Sequence, residues 1–305
     1  MQSSVFIKKG KPVVQKANVN KQGIPLVRTG IPSLDKIFEG GLPVGSLVLI
    51  EEDPVVNHAL QIARCFLGEG AVNNEKLFVY SEVQDEDLVP DIKRVRSDES
   101  ANLRIAWRYE SYPSARAVQG PYVFDLSKSR SAEIVRKAVS LNRREAFKKL
   151  FDELFSDIQE SIQSMDDKLT RRILIKSMLG PAWPTCSHSE LFQFFHSLKT
   201  LLRSLNAVCM ITCPTYLLNP ALKVMIQNIS DMVLECRSFA ETGDSYGEYS
   251  GLLRVIKLPR LLTIQPIDLD ANCFGIRLDR RFISVEKLSV PPEESIAATK
   301  ESIEF

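Results

Sequence analysis

Residue types that build dedicated chemical sites are scarce in this sequence. Its 305 residues include three histidines and six cysteines. No two cysteines form a CxxC pair, and His188 and His196 stand eight positions apart, off the one-turn spacing of helical ligands. No metal site is expected, because zinc sites draw on closely spaced ligand pairs. Cys209 and Cys213 flank a run that reads as a buried strand, so the cysteines are expected to serve as small apolar core groups. No apolar run approaches the ~20 residues needed to span a bilayer. The opening MQSSVFIKKGKPVVQ has no apolar stretch of signal-peptide length. The expectation is a soluble intracellular chain with no membrane contact. There is also no excess of charge: Lys and Arg total 39 against 38 Asp and Glu, a net of +1. That excludes a protein coating nucleic acid with its whole surface and leaves room for a local basic patch.

No acidic residue precedes Asp35, while Lys8, Lys9, Lys11, Lys16 and Lys21 do. Residues 1–22 read as a flexible basic arm, with contact to phosphate or to a nuclear import receptor as the sharper alternative. Residues 291–305, PPEESIAATKESIEF, carry two prolines and four glutamates against one lysine and read as an acidic disordered tail. Neither an internal repeat nor a low-complexity stretch lies between.

Residues 23–290 alternate short apolar runs with helical stripes, the pattern of a sheet covered by helices. SLVLI at 46–50, KLFVYSE at 76–82, LRIAWRY at 103–109, RRILIKSML at 171–179, AVCMITCP at 207–214 and MVLEC at 232–236 read as strands. Helices are expected at 58–70, ended by Gly68 and Gly70, at 189–205 and from Pro220. A further helix follows PYVFDLSKSR, with Phe147, Leu150, Phe151, Leu154, Phe155, Ile158 and Ile162 on one face. The closing segments GLLRVIKLPR, FGIRLDRR and FISVEKL alternate as antiparallel edge strands do. The fold class is α/β, a mostly parallel sheet flanked by helices with antiparallel C-terminal edge strands.

RTGIPSLDKIFEGGLPVGSLVLIEED at 28–53 is the informative stretch. Gly30, Gly40, Gly41 and Gly45 permit turns at positive φ, and Ser33 is placed to cap the helix LDKIF. A phosphate-binding loop would continue with glycines and end in Lys-Ser or Lys-Thr, its amides cradling phosphate. Here the continuation is Glu51, Glu52, Asp53, Pro54, Val55, Val56, Asn57, His58. Three carboxylates are expected to face the phosphate position, Pro54 removes an amide donor, and no lysine follows. Like charges at ~4 Å repel by about 1 kcal/mol even in water. RILIKSML, where a magnesium-holding strand would end in an acid, ends in Lys-Ser-Met-Leu-Gly. The scaffold reads as one that lacks its Walker motifs and binds no cofactor of its own.

TGIPSLDKIFEGGLPVGSLVLI resembles the opening of RecA-like ATPases, the recombinase and clock-ATPase group. IEED at 50–53, IAWRYE at 105–110, YVFDLSKS at 122–129, GLLRVIKLPRL at 251–261 and FGIRLDRRFISVEKLSVPPE at 274–293 resemble the Elongator complex protein 4 (PAXNEB) family. The likeness runs discontinuously over most of the expected folded part. It implies a RecA fold without working nucleotide motifs and a non-catalytic subunit of Elongator, in the cytoplasm and nucleus. Its implied partners are Elongator subunits 5 and 6 in a hetero-hexameric ring, the catalytic subcomplex of subunits 1, 2 and 3, and tRNA. The ring binds tRNA and supports wobble-uridine modification to 5-carbonylmethyl derivatives, with any ATP at ring interfaces. The alternatives are a stand-alone RecA-like ATPase and a regulatory scaffold in transcription.

RNA or subunit contacts are assigned to the lysine arm (Lys8, Lys9, Lys11) and to Lys93, Arg94 and Arg96, read as the loop KRVRSDES and partly cancelled by Asp91, Asp98 and Glu99. Trp107, Arg108 and Tyr109 end a strand, where an aromatic–Arg–aromatic cluster suits a subunit contact ahead of base stacking. Arg260 is placed either to reach a neighbour or to cap the sheet end.

Overall fold

The computed structural model describes residues 25–81, 88–94, 122–130, 134–138, 170–181, 185–242, 247–260 and 271–288, with isolated positions at 18–19, 23, 152–153, 155–156, 159–160, 183 and 269. Asn18–Val19 (β1), Pro25–Val27 (β2) and Leu42–Pro43 (β3) make a small antiparallel sheet. β1, inside the stretch read as the basic arm, thus pairs with β2 of the folded part. Among the described residues, the main sheet contains nine strands. Its parallel part is formed by Leu47–Glu51 (β4), Lys76–Ser81 (β5), Ile134–Ala138 (β8), Arg171–Ile175 (β9), Ala207–Cys213 (β10) and Met232–Ser238 (β11). The antiparallel edge is Gly251–Lys257 (β12), Cys273–Leu278 (β13) and Ile283–Lys287 (β14). The spatial order is β14-β13-β12-β11-β4-β10-β9-β5-β8. The chain leaves β4 on one side toward β5 and β8, returns through β9 and β10, and crosses to β11 on the other side. β4 therefore stands where the winding reverses, the position at which open α/β sheets form a crevice beyond the strand ends. The α/β reading and its antiparallel C-terminal edge hold.

Two cores follow from the period of two along each strand. Val48 and Ile50 of β4, Val208 and Met210 of β10 and Leu234 of β11 point to one face, onto Pro32–Ile37 (α1) and His58–Val72 (α2). Leu47, Leu49, Cys209, Ile211 and Val233 point to the other, onto His188–Ser204 (α3) and Pro220–Ile229 (α4). Each fully buried Leu, Ile or Phe contributes roughly 1.5–3 kcal/mol relative to exposure. α3 starts on a capping box in which Ser187 and Glu190 satisfy each other's backbone amides.

The structure differs from the sequence reading at several places. α2 does not stop at Gly68 and Gly70 but runs to Val72. These glycines are close-approach positions: a Cβ on Gly68 would lie 2.8 Å from the Phe124 ring, and one on Gly70 2.6 Å from Arg172 Cδ. Ser33 does not cap α1; its hydroxyl accepts the Val285 N–H at 2.9 Å and ties α1 to β14. The N-cap position of α1 is Ile31, with Pro32 pre-setting the first turn. YVFDLSKS is a strand, Tyr122–Ser129 (β7), paired with Pro90–Arg94 (β6). β9 ends at Ile175, and Ser177 and Leu179 follow at positive φ. The expected strand LRIAWRY lies outside the described residues. Of the Phe-rich helix, Asp152, Glu153, Ser156, Gln159 and Glu160 are helical and exposed, and Phe155 is half-buried.

Candidate functional site

The crevice above β4 is formed by the loop that joins its end to α2. Helix N-termini expose amide N–H groups that favour an anion, and this loop supplies the anion itself. Asp53 Oδ1 accepts the N–H groups of Val55 (3.1 Å), Val56 (2.6 Å) and Asn57 (3.2 Å). Its Oδ2 accepts the His58 N–H at 3.1 Å and the His58 Nδ1–H at 2.9 Å. Burial pushes the Asp53 carboxyl up, but the His58 ring and the Val56 and His58 amides outweigh it and hold the carboxyl far below the usual carboxylate range. Asn57 takes a left-handed conformation at φ 53° and caps α2 by accepting the Leu60 N–H at 3.1 Å.

The two neighbouring carboxylates turn elsewhere, which corrects the expectation that all three face a phosphate. Glu51 is 1% exposed. It accepts Gln227 Nε2 at 2.5 Å and Thr215 Oγ1 at 3.0 Å and pairs with Lys223 Nζ at 2.7 Å, joining β4 to α4. Glu52 accepts the Ser177 hydroxyl at 2.9 Å, at the end of β9 where a metal-holding acid would stand. Lys176 precedes it, half-buried. Pro54 is exposed and has no N–H to offer. As arranged, the loop gives a phosphate no amide and meets it with a carboxylate, so these residues do not fit a nucleotide phosphate.

His58 continues the network: its Nε2 lies 2.9 Å from Ser250 Oγ. Ser250 is bound to β13 through its N–H, which donates to the Ile276 carbonyl at 2.8 Å. Asp53, His58 and Ser250 stand in the order of a hydrolase relay, but the His58 ring is fully buried, so no substrate reaches it. The trio clamps the loop to the sheet edge. A Cβ on the adjacent Gly251 would lie 2.8 Å from His58 Cε1, so glycine there lets the ring approach.

Sequence reasoning missed a second buried charge. Arg172 on β9 is fully buried. It pairs with Glu75, donates to the Arg28 carbonyl at 2.7 Å and the Phe66 carbonyl at 2.9 Å, and lies 4.7 Å from the Phe66 ring centroid. The glycine at position 70, set inside an otherwise regular helix, was the available signal. Among the described residues, no group of three or more His, Cys, Asp or Glu could hold a metal ion. Cys65, Cys209, Cys213 and Cys236 are buried and free, with burial pushing the Cys65 thiol up to about 12.

The remaining sequence candidates are dispersed. Lys93 is exposed on β6, with its Nζ 5.1 Å from the Phe282 ring centroid, and Arg94 ends the same strand, so neither belongs to a loop. Arg260 is exposed just after β12. Lys8, Lys9, Lys11, Arg96, Trp107, Arg108 and Tyr109 lie outside the described residues.

A model of the PAXNEB protein family matches residues 17–304. Elongator complex protein 4 of Xenopus laevis is 31% identical over 338 residues, covering 91% of this chain and 82% of that protein. The protein of the same name from Homo sapiens is 28% identical and covers 92% and 80%, and that from Saccharomyces cerevisiae is 21% identical and covers 91% and 76%. Among solved structures, a KaiC-like protein from Pyrococcus horikoshii OT3 covers 86% of this chain and 99% of its own, with 16% identity and a TM-score of 0.50. That likeness bears out the RecA-like fold.

Proposed function

We infer a function from a settled premise: this chain belongs to the PAXNEB family. The chain is a non-catalytic subunit of the Elongator complex. It takes its place with subunits 5 and 6 in a hetero-hexameric RecA-like ring, which joins the catalytic subcomplex of subunits 1, 2 and 3, binds tRNA and supports wobble-uridine modification to 5-carbonylmethyl derivatives in the cytoplasm and nucleus. The observation that carries the non-catalytic half of this reading is the Asp53 carboxylate, which holds four consecutive loop and helix amides. A chain built this way holds no nucleotide phosphate at its own β4 loop, and any ATP in the assembly sits at interfaces, against residues supplied by neighbours.

The test is mass spectrometry of wobble-uridine nucleosides in tRNA from cells with and without this chain. Loss of the 5-carbonylmethyl derivatives, restored by the wild-type gene, is the expected result; unchanged nucleosides in a clean deletion would sink the reading. The RecA-like fold itself favours a second reading, a stand-alone ATPase. Equilibrium binding of ATP to the isolated chain separates the two: submillimolar affinity supports the ATPase, and its absence supports the subunit.

A further inference from the structure

We propose that the β6–β7 hairpin and the turn between β13 and β14 form one contact surface for the phosphate backbone of RNA. The inference rests on the tRNA-handling part of the proposed function and names the face of this chain that performs it.

Two elements distant in sequence build the surface. The turn is tight: the Asp279 N–H donates to the Phe282 carbonyl at 2.9 Å, which pushes Arg280 and Arg281 outward, and both are exposed. The hairpin is fastened to it by the Leu126 N–H, which donates to the Arg281 carbonyl at 2.8 Å. Lys93 of β6 lies over the ring of Phe282, the residue that follows the two arginines, a cation–π contact between strand and turn. Lys128 and Arg130 are exposed at the end of β7, and the Arg130 N–H is held by the Val89 carbonyl at 2.8 Å. Neither Arg280, Arg281, Lys128 nor Arg130 has an ion-pair partner among the described residues.

Among the described residues, three carboxylates lie on these elements, and each also contacts a group close to it in sequence. Asp125 Oδ1 accepts the Ser127 hydroxyl at 2.6 Å and the Ser127 N–H at 3.0 Å. Asp91, opposite Asp125 in register, accepts the Ile92 N–H at 2.8 Å. Asp279 lies 3.9 Å from Arg277 Nε. Among the described residues, Lys93, Lys128, Arg130, Arg280 and Arg281 thus stand against Asp91, Asp125 and Asp279, with Arg281 and Lys128 both acting on the Asp125 carboxylate, and the surface keeps a net positive charge on a backbone held by cross-element hydrogen bonds. Arginine forks suit phosphate oxygens, and the Phe282 ring already faces a lysine. The contact is thus to the RNA backbone rather than by base stacking, so it carries affinity and register without sequence preference.

The experiment uses the reconstituted ring and a fluorescently labelled tRNA transcript bearing a wobble uridine, titrated across salt concentrations. Arg280→Gln/Arg281→Gln removes two positive charges. Gln193→Glu/Thr200→Glu, on the exposed side of α3 across the sheet, changes the net charge by the same amount. The first variant is expected to weaken tRNA binding roughly tenfold and to flatten the salt dependence by about 1 to 2 units of log–log slope. The second should leave both within about twofold. Wild-type-like affinity and slope in the arginine variant would overturn this surface while the tRNA-binding reading stands. A wild-type ring with no affinity for tRNA would overturn both. Unchanged tRNA binding together with lost binding of poly-glutamate would assign the surface to an acidic protein and overturn the RNA proposal.

Discussion

The loop after β4 and the turn between β13 and β14 handle charge in opposite ways. In the first, an acid is drawn inward and satisfied from all sides: Asp53 meets four amides and an imidazole of its own chain. In the second, Arg280 and Arg281 are turned outward by a hydrogen-bonded turn. A buried polar group that finds its partners internally contributes to the fold and is closed to ligands. Charge that the fold holds in place but leaves unpaired contributes little to stability and is open to a partner. In this RecA-like scaffold the amides at the start of α2 are thus spent on a carboxylate of the same loop.

The largest expected effect is at Asp53. Replacing it with alanine strands its amide donors and the His58 ring, and breaking a buried hydrogen-bonded charge costs about 3–5 kcal/mol. Urea unfolding of Asp53→Ala should show that loss in the midpoint with little change in slope. A loss below about 1 kcal/mol would mean that water satisfies those amides equally well, and the contrast between closed loop and open turn would fail.

The pH dependence comes next. Because the folded Asp53 carboxyl is held below its ordinary range, its contribution is fully present above the unfolded pKa near 3.8 and is lost as pH falls through the folded value. Asp35 has the opposite sign. Burial raises its carboxyl to about 6, against hydrogen bonds from the Thr29 N–H and hydroxyl, each at 2.7 Å. Its contribution is fully present below about 3.8 and is lost as pH rises through about 6. Stability should therefore increase as pH falls from 7 toward 4, by no more than about 2 kcal/mol, and Asp35→Asn should flatten that rise. Urea midpoints measured from pH 4 to 7 for both chains decide the matter. An unaltered slope in the variant would remove Asp35 from the account.

A smaller effect sharpens the idea that Asp53 itself takes up the amides of its loop. In Asp53→Gly the same amides are free to donate to an external anion. Inorganic pyrophosphate at about ten times its dissociation constant would then stabilise the variant by ~1.4 kcal/mol and leave the wild type unmoved. Thermal melts with and without pyrophosphate report this directly. Equal shifts in the two proteins would place the anion elsewhere.

Much of this arrangement was legible from residue pattern alone. The strands at β4, β5, β9, β10 and β11 are short apolar runs between turn residues, and α3 announces itself by Ser187, Glu190 and a periodic apolar face. The missing lysine after β4 was equally plain. Orientation was not legible: consecutive strand residues face opposite sides, and the end of a strand leaves the direction of Glu51, Glu52 and Asp53 to tertiary partners such as Gln227, Ser177 and His58. β7 was missed because its polar residues Asp125, Ser127 and Lys128 interrupt the apolar pattern, and its pairing with β6 reaches across a long sequence separation. Arg280 and Arg281 were read within a family-like phrase, and their charge gained meaning when the Leu126–Arg281 hydrogen bond brought the hairpin beside them.

The smallest effect completes the comparison. Arg280→Gln/Arg281→Gln removes two exposed cations whose backbone carries the turn and whose side chains make no ion pair among the described residues. Surface substitutions of this kind usually fall within about 0.5 kcal/mol, and relief of repulsion between the two guanidinium groups acts in the stabilising direction. The urea midpoint of the full chain should therefore be unchanged or slightly raised, most visibly at low salt, where screening is weak. A loss above about 1 kcal/mol would mean that the arginines hold the β6–β7 hairpin to the sheet. Weakened tRNA binding in that variant would then report a displaced hairpin, whereas intact stability with weakened binding assigns the charge to the partner.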